Sequence, residues 1–470
     1  MSIIKKLKKK TSISKDYIFK TLKITDTTIT LLFNEVLTST DNINDFILRQ
    51  LIKLRKKDLK TLENHLPDTN ILKIKNKEIL EYVNKGFLVI ITPYYNYAIE
   101  VKATLERGIT DITSELSLTG PKDSFSENFN TNLGLIRRRI KTTDLRCEDM
   151  EIGRNTKTKI GILYMNNIVK KDIVKKIKKQ LKLIDIDGII DSSYLKRNLE
   201  YRNTFFPTVM MSERPDKSCM ALLEGKVVIL VDMSPYVIIL PNFFLDYFHT
   251  VDDYYQKPSN ITFIRIIRLI AFLIAVLTPA IYISVTTRNY DLIPTNLLLM
   301  LKAGRTSVPF PAYLEALFMI IAFEILKESD LRMSNTSNSA VSILGGLILG
   351  DAAVSAGIVS PIMIIIIAIS SIAGLVFTSL ELVNAIRIYK IFFLILATFL
   401  GIYGVIIGTA LLIYKLLQIK VFDIPYLAPL VPFIKTENND TIIKHDHDIK
   451  LRNPLLSNNT IRGKYKWKES

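Results

Sequence analysis

The amino-acid sequence predicts an α/β cytoplasmic region of two related subdomains, followed by an all-α transmembrane bundle. A strand–turn–strand pattern occurs twice in the first half of the chain, and its glycines, Gly86 and Gly225, align without a gap. Long apolar segments then dominate residues 259–434. Strands that alternate with helical segments favour an α/β class, whereas apolar runs of roughly 17 residues or more predict membrane-spanning helices.

The composition fits a membrane protein with a large polar part. The chain has 470 residues, a formal net charge of +17 and a mean hydropathy of +0.24. Its two cysteines, Cys147 and Cys219, are too few and too far apart for a disulfide framework or a cysteine metal site. The charged N-terminus has no apolar stretch after it, so it is not a secretory signal peptide, and the first region is expected in the cytoplasm.

The first part of the chain is predicted to hold an arm and one subdomain. Residues 1–30 are rich in Lys and Thr and predict a flexible basic arm. The first α/β subdomain is assigned to residues 31–120, and its helical spacing begins near Leu31. The apolar, β-branched run at residues 86–91 predicts a strand, and a turn separates it from a second strand at residues 97–101.

The second α/β subdomain is assigned to residues 121–258 and repeats this pattern. Its predicted elements, in chain order, are a strand, a lysine-rich helix, another strand and the repeated hairpin, at residues 159–165, 170–183, 184–190, 225–231 and 236–240. This alternation of strand, helix and strand supports the α/β class.

The predicted helix at residues 170–183 carries seven lysines, a pattern that a nucleic-acid surface would also show. A solvated helix face accounts for them better, because Ile173, Ile177 and Leu181 have the spacing of a buried face. No basic motif with interleaved aromatic residues accompanies them, so no nucleic acid is expected as a partner.

Residues 259–434 predict a transmembrane bundle of about four spans plus one re-entrant segment, and counts between four and six stay open. The uncharged run at residues 269–285 is one span, and another is expected over residues 391–414. Residues 309–326 begin with two prolines and carry two acids, which favours a re-entrant helix packed against protein. Residues 339–377 are long enough for two spans.

Three carboxylates lie inside this apolar sequence: Glu315, Glu324 and Asp351. A charged side chain at membrane depth normally faces protein or a water-filled cavity, so each is a candidate for an ion path or another intramembrane function. A nine-residue spacing at about 100° per residue places Glu315 and Glu324 on opposite helix faces. Glu315 and Asp351 are therefore predicted on the ion path and Glu324 in a packing contact, with a structural carboxylate as the equal alternative for Asp351.

Two features predict subunit interfaces. Gly346 and Gly350 have the four-residue spacing that lets helices approach closely. Arg214 lies between two acids, and a bidentate contact from it to Glu213, to Asp216 or to another subunit would fix a seam. The alternative for Arg214 is a local contact at the start of a helix.

The tail, residues 435–470, is polar and ends in basic residues, so it is expected to be cytoplasmic. Two cytoplasmic ends require an even number of membrane crossings. His445 and His447 in the tail lack a third ligand, and the chain shows no nucleophile–base set or cofactor loop. No metal, cofactor or enzymatic activity is therefore predicted.

Eight strings, in order between about residues 85 and 430, resemble one family. They include Gly-Pro-Lys-Asp-Ser-Phe at 120–125, Ser-Glu-Arg-Pro-Asp-Lys at 212–217, Val-Pro-Phe-Pro-Ala at 308–312 and Gly-Asp-Ala-Ala-Val-Ser-Ala-Gly at 350–357. They are similar to strings in the A subunits of GerA-type spore germinant receptors. The resemblance covers most of the chain outside its arm and tail.

This resemblance implies a multi-pass protein of the inner membrane of a bacterial spore, which passes a nutrient signal on to germination. The partners it implies are a transporter-like B subunit and a lipoprotein C subunit. It also implies a homo-oligomer that conducts ions. The alternative from another class is a subunit of an ion-coupled solute transporter with Glu315, Glu324 or Asp351 as the relay. The membrane part is short and shows no obvious inverted repeat, which disfavours that alternative.

Overall fold

The computed structural model describes residues 3–24, 27–55, 58–66, 71–103, 115, 119–332, 346, 350–433, 441, 443 and 452–458. The chain divides into two compact units. The first contains Met1–Glu200, Val209–Asn242 and His447–Ser470. The second contains Tyr201–Thr208 and Phe243–Asp446.

Two five-stranded antiparallel sheets, with helices around them, make up the described part of the first unit. The first sheet holds β1 (Tyr17–Ile24), β2 (Thr27–Asn34), β3 (Ile71–Ile74), β4 (Phe87–Ile91) and β5 (Asn96–Glu100). The second holds β6 (Leu145–Ile152), β7 (Thr158–Met165), β8 (Met210–Ser212), β9 (Val227–Val231) and β10 (Val237–Leu240). The α-helices are α1 (Ile3–Thr11), α2 (Thr40–Asn42), α3 (Arg49–Leu51), α4 (Ile79–Asn84), α5 (Phe129–Arg139), α6 (Lys171–Lys182), α7 (Ser192–Leu199) and α8 (Pro215–Glu224), and Ile43–Leu48 is a π-helix.

The two sheets repeat one topology. Their strand orders are β1-β2-β4-β5-β3 and β6-β7-β9-β10-β8, which are the same order shifted by five strands. Gly86 and Gly225 follow α4 and α8 with φ values of +88° and +98°. A glycine tolerates this left-handed conformation and so ends the helix before the next strand starts. The predicted α/β region of two related subdomains is therefore confirmed.

The first sheet is buried on both faces, and its middle strand, β4, carries an apolar residue at every position. Leu88 and Ile90 of β4 face a cluster that includes Ile47 and Leu51, whereas Val89 faces a cluster built around α4. Alternate residues of a strand point to opposite faces, so a continuous apolar run marks a strand that is covered on both sides.

The predicted flexible arm is wrong for the described part of residues 1–30, which forms α1, β1 and the start of β2. Leu7 and Tyr17 are buried in the cluster around α4, and the Tyr17 hydroxyl donates to Asn84 at 2.6 Å. Leu31 lies in β2 opposite Ile90, not in a helix. Aromatic and β-branched residues in Tyr17–Ile24 and Thr27–Asn34 are typical of strands, although lysines lie among them.

The lysine-rich helix is confirmed as α6, with Ile173, Ile177 and Leu181 buried and the lysines around them. Residues 184–190 form an irregular segment, so the strand predicted there is wrong. Part of the tail also belongs to the first unit. Leu456 accepts from the Lys170 amide at 2.9 Å and is itself buried.

Helices make up most of the described second unit. They are α9 (Pro258–Thr287), α10 (Thr295–Ala303), α11 (Ala312–Arg332), α12 (Pro361–Gly374), α13 (Leu380–Leu400) and α14 (Ile402–Gln418), with helical residues also at 350–355. Short 3₁₀ turns lie at Phe244–Phe248, Val251–Tyr254 and Tyr290–Leu292, and β11 (Lys420–Val421) pairs with β12 (Ile424–Pro425). Among the helices that the structure describes, α9 and α13 are long and apolar enough to cross a membrane.

The single span predicted at residues 391–414 is wrong, because the chain turns at Gly401 between α13 and α14. Gly401 has φ +59° and ψ −141°, a conformation open to glycine. Asn289 accepts from the Ile402 amide at 3.0 Å and so caps the start of α14. A Cβ on Gly404 would lie 2.3 Å from the Leu396 carbonyl oxygen. At this position α14 therefore packs so close to α13 that only a glycine fits.

Replacing Gly404 by alanine should open this helical hairpin. The added methyl would clash with backbone, which has no rotamer to change, and we expect a loss of about 2 kcal/mol or more. Gly374→Ala is the matched control, because that helical glycine has no atom within 4 Å of the new Cβ. Alanine there should be neutral or stabilise by up to about 1 kcal/mol. Thermal unfolding in detergent compares them, and equal melting temperatures would contradict the close packing.

Candidate functional site

Glu315 lies in the first turn of α11 with its side chain fully buried. Arg305 Nη2 donates to one carboxylate oxygen at 2.8 Å. The backbone amide and hydroxyl of Ser360 donate to the other at 3.1 and 3.0 Å. Ser360 directly precedes α12, so Glu315 ties the turn after α10 to the starts of two helices. These contacts satisfy the carboxylate, and its predicted place on an ion path stays a prediction.

Glu324 lies nine residues further along α11, roughly 13 Å by helical rise. Its carboxylate is 2.7 Å from Arg387 Nη2 of α13. Glu324 is also one of the residues that line a cavity of about 230 Å³. Lys327 and Lys390 line the same cavity. The sequence analysis missed these cations. Lys327 follows Glu324 by three residues in an apolar helical segment, and this spacing can be seen in the sequence.

Asp351 is exposed on the surface of its unit. It makes no hydrogen bond or ion pair with other residues that the structure describes. The three acids therefore occupy three different environments. The fold of a single subunit does not bring their side chains together. Glu315 is internal and paired, Glu324 borders a basic cavity, and Asp351 is open to whatever surrounds the helical unit.

Arg214 is inside its own subunit rather than at a free surface. Its side chain is 1% exposed and holds Asp216 with two bonds of 3.1 and 2.8 Å. It also donates to the backbone oxygens of Glu115 and Pro121 at 3.1 and 3.0 Å. Arg214 directly precedes α8, and its neighbour Glu213 is buried too. The local contact at a helix start therefore accounts for this group, which corrects the predicted seam.

Gly346 and Gly350 do not mediate close helix contact within the described chain. A Cβ on Gly346 would meet nothing within 4 Å, and one on Gly350 would lie 4.0 Å from Ile364. Their predicted contact with another subunit stays a prediction.

A buried ionic cluster at the start of α9 also escaped the sequence reasoning. Asp253 accepts from Arg265 at 3.1 Å and from Arg268 at 3.0 Å, and all three are nearly buried. Burial alone would raise the pKa of Asp253, but Arg268 and Arg265 outweigh it and the pKa is lowered. These arginines therefore point into protein.

Metal and thiol chemistry have little support in the described residues. These residues contain no group of three or more His, Cys, Asp or Glu side chains placed to hold a metal ion. Cys147 and Cys219 are free and buried, and burial raises the pKa of Cys219 to about 12. A thiol with so high a pKa is a poor nucleophile at neutral pH.

Sequence comparison gives the family. A family model described as "Bacillus/Clostridium GerA spore germination protein" matches residues 5–455. The chain belongs to this family. The match extends over both units and includes the resemblance strings, so the resemblance deduced from them is confirmed. Proteins of this family are membrane-associated, which agrees with the two long apolar helices.

Individual relatives agree with the family match. Spore germination protein KA of Bacillus subtilis is 39% identical over 340 residues, which is 72% of this chain and 62% of that protein. The chain therefore covers less than two thirds of that relative. Spore germination protein GerQA of Bacillus cereus is 32% identical over 458 residues, 96% of this chain and 92% of that protein.

One solved structure is also similar. It is the crystal structure of the N-terminal domain of the A subunit of the Bacillus megaterium spore germinant receptor GerK3. The two chains are 28% identical, and the match covers 51% of this chain and 94% of that one, with a TM-score of 0.38.

Proposed function

We propose that this chain is the A subunit of a nutrient germinant receptor and passes nutrient sensing on to germination by forming an ion-conducting oligomer. Its role is not enzymatic. A transporter-like B subunit and a lipoprotein C subunit are the proposed partners, in the inner membrane of the spore. The names of the relatives support the germination role.

The single observation that carries the oligomer is the exposure of Asp351. A carboxylate on the surface of an apolar helical unit would face lipid if the chain stayed alone, at a large cost in free energy. Neighbouring subunits that enclose Asp351 in a water-filled path would remove that cost. Rings of Asp or Glu side chains are a common way to favour cations in a pore.

Asp351→Asn should lower nutrient-triggered cation flux by roughly fivefold or more, the effect of about 1 kcal/mol of lost ion attraction. The receptor reconstituted with its partner subunits gives the measurement. Ser355→Ala, one helical turn away and also exposed, is the matched control and should leave the flux unchanged. Full flux with unchanged ion preference in Asp351→Asn would remove Asp351 from the path.

The position of the tail supports a membrane topology with both ends on one side. Residues 452–458 belong to the first unit, where the Asn458 amide donates to the Ile168 carbonyl at 2.7 Å. The N-terminal region is in the same unit, so the two regions share one side of any membrane that the second unit crosses. We place that side in the cytoplasm and infer an even number of crossings.

Single cysteines test this topology with an impermeant thiol reagent on intact cells. Cysteines at Ile52 and Asn458 should stay unlabelled, because both positions lie in the first unit. A cysteine at Leu292 should react, because this residue is 62% exposed just beyond the far end of α9. Labelling at Ile52 or Asn458, or the reverse pattern, would contradict the proposed orientation.

A further inference from the structure

The cavity beside Glu324 lies within the helical unit, between α11, α12 and α13. Its volume is about 230 Å³. One part of its wall carries Glu324, Lys327, Arg387 and Lys390, and the rest is mainly apolar, with Phe323 and Ile372 among its residues.

The charges on this wall do not balance. Glu324 pairs with Arg387 at 2.7 Å, and this pair leaves Lys327 and Lys390 as two further positive charges. Lys390 is 5% exposed and makes no hydrogen bond or ion pair with any side chain in the described part of the chain. A buried ammonium group without a partner is costly, so the site lacks a negative charge.

Ring contacts connect the side of α13 that carries Lys390 to the beginning of the apolar run of α9. Tyr389, which precedes the buried lysine, stacks on Phe206 with ring centroids 4.9 Å apart. Phe206 contacts Phe244, which contacts Phe272, each pair at 5.6 Å. Phe272 is one turn beyond Arg268, the last charged residue before that run. In a membrane that α9 spans, the end of this chain of rings at Phe272 lies near the lipid headgroups.

We infer that this cavity binds a phosphate-bearing ligand, with the phosphate held by Lys327, Arg387 and Lys390 and any apolar portion against the remaining wall. Basic pockets between membrane helices bind acidic lipid headgroups for the same reason. The planar guanidinium of arginine can donate two parallel hydrogen bonds to phosphate oxygens, and the ammonium group of lysine adds a compact positive charge. The source is either an anionic phospholipid or free phosphate. This site goes beyond the receptor role and does not depend on ion conduction.

The test uses the full chain in an uncharged detergent, with the melting temperature measured over a range of ligand concentrations. The probes are dihexanoyl phosphatidylglycerol, dihexanoyl phosphatidylcholine and inorganic phosphate. Ligands that bind only the folded state raise the melting temperature, and the concentration dependence gives Kd. We expect phosphatidylglycerol to stabilise the protein and phosphatidylcholine to do so far less.

Lys390→Met should weaken binding of the anionic probe at least about tenfold, because one charged donor is lost. Without ligand this variant should melt no lower than the wild type, since the buried unpaired cation is gone. Lys415→Met is the matched control, because Lys415 is an exposed lysine on α14. Its binding should equal that of the wild type.

Stabilisation by phosphatidylglycerol alone supports a lipid as the ligand, and stabilisation by inorganic phosphate as well supports the free anion. The inference is overturned if neither anion stabilises the protein, if phosphatidylcholine stabilises it equally, or if Lys390→Met binds like the wild type.

Discussion

Replacing Glu315 by alanine should lower the melting temperature of the protein by about 10 °C, the effect of roughly 3 kcal/mol in a unit of this size. The change removes the carboxylate that accepts from Arg305 and from both donors of Ser360. Arg305 is left largely buried without its partner, and the start of α12 loses its acceptor. Thermal unfolding of the full chain in detergent gives the measurement.

Four further variants separate the parts of this effect. Ser360→Ala removes only the hydroxyl bond and should cost about 1 kcal/mol. Arg305→Met leaves the Glu315 carboxylate buried without its cation and should be as severe as Glu315→Ala. The double variant Glu315→Gln with Arg305→Met should recover part of the loss, because no isolated charge remains. If Glu315→Gln instead folds like the wild type and alters cation flux, the ion-path prediction holds and the structural role does not.

Asp16→Ala should weaken the first unit by about 3–5 kcal/mol, because it leaves Arg137 buried and unpaired. Asp16 lies just before β1, and Arg137 lies on α5 of the second subdomain. Their side chains are 4% and 2% exposed, and Arg137 Nε is 2.9 Å from the Asp16 carboxylate. Asn34 donates to the same carboxylate at 2.7 Å. The pair therefore couples the first sheet to the second subdomain.

Hydrogen–deuterium exchange of peptides that contain β1 and α5 measures this loss locally, because exchange reports the free energy of opening. In Asp16→Ala, the rate of amide exchange that requires this region to open should rise by about 100-fold or more. The double variant Asp16→Ala with Arg137→Leu should recover most of the protection. Asp172→Ala is the control: its pair with Lys175 is at the surface, with side chains 82% and 76% exposed. It should cost less than about 0.5 kcal/mol, and equal effects of the two aspartate changes would contradict the buried pair.

The fold class could be predicted because it depends on local patterns. Gly86 and Gly225 lie at the same position in two copies of one topology. A glycine directly before an apolar run can be recognised in any sequence. Helix α6 was readable for the same reason, since Ile173, Ile177 and Leu181 repeat at the helical period. The family was readable from strings that extend along most of the chain.

The environment of each charge was decided only by tertiary structure. Periodicity placed Glu315 and Glu324 on opposite faces of one helix, but only the fold brought Ser360 to Glu315 and Arg387 to Glu324. Glu315 and Glu324 could be recognised because acids in apolar segments are rare. Lys390 was missed, because a lysine side chain is long and often reaches water. Whether a charged side chain is paired, solvated or without a partner depends on residues far away in the chain. Such distant contacts leave no local pattern in the sequence.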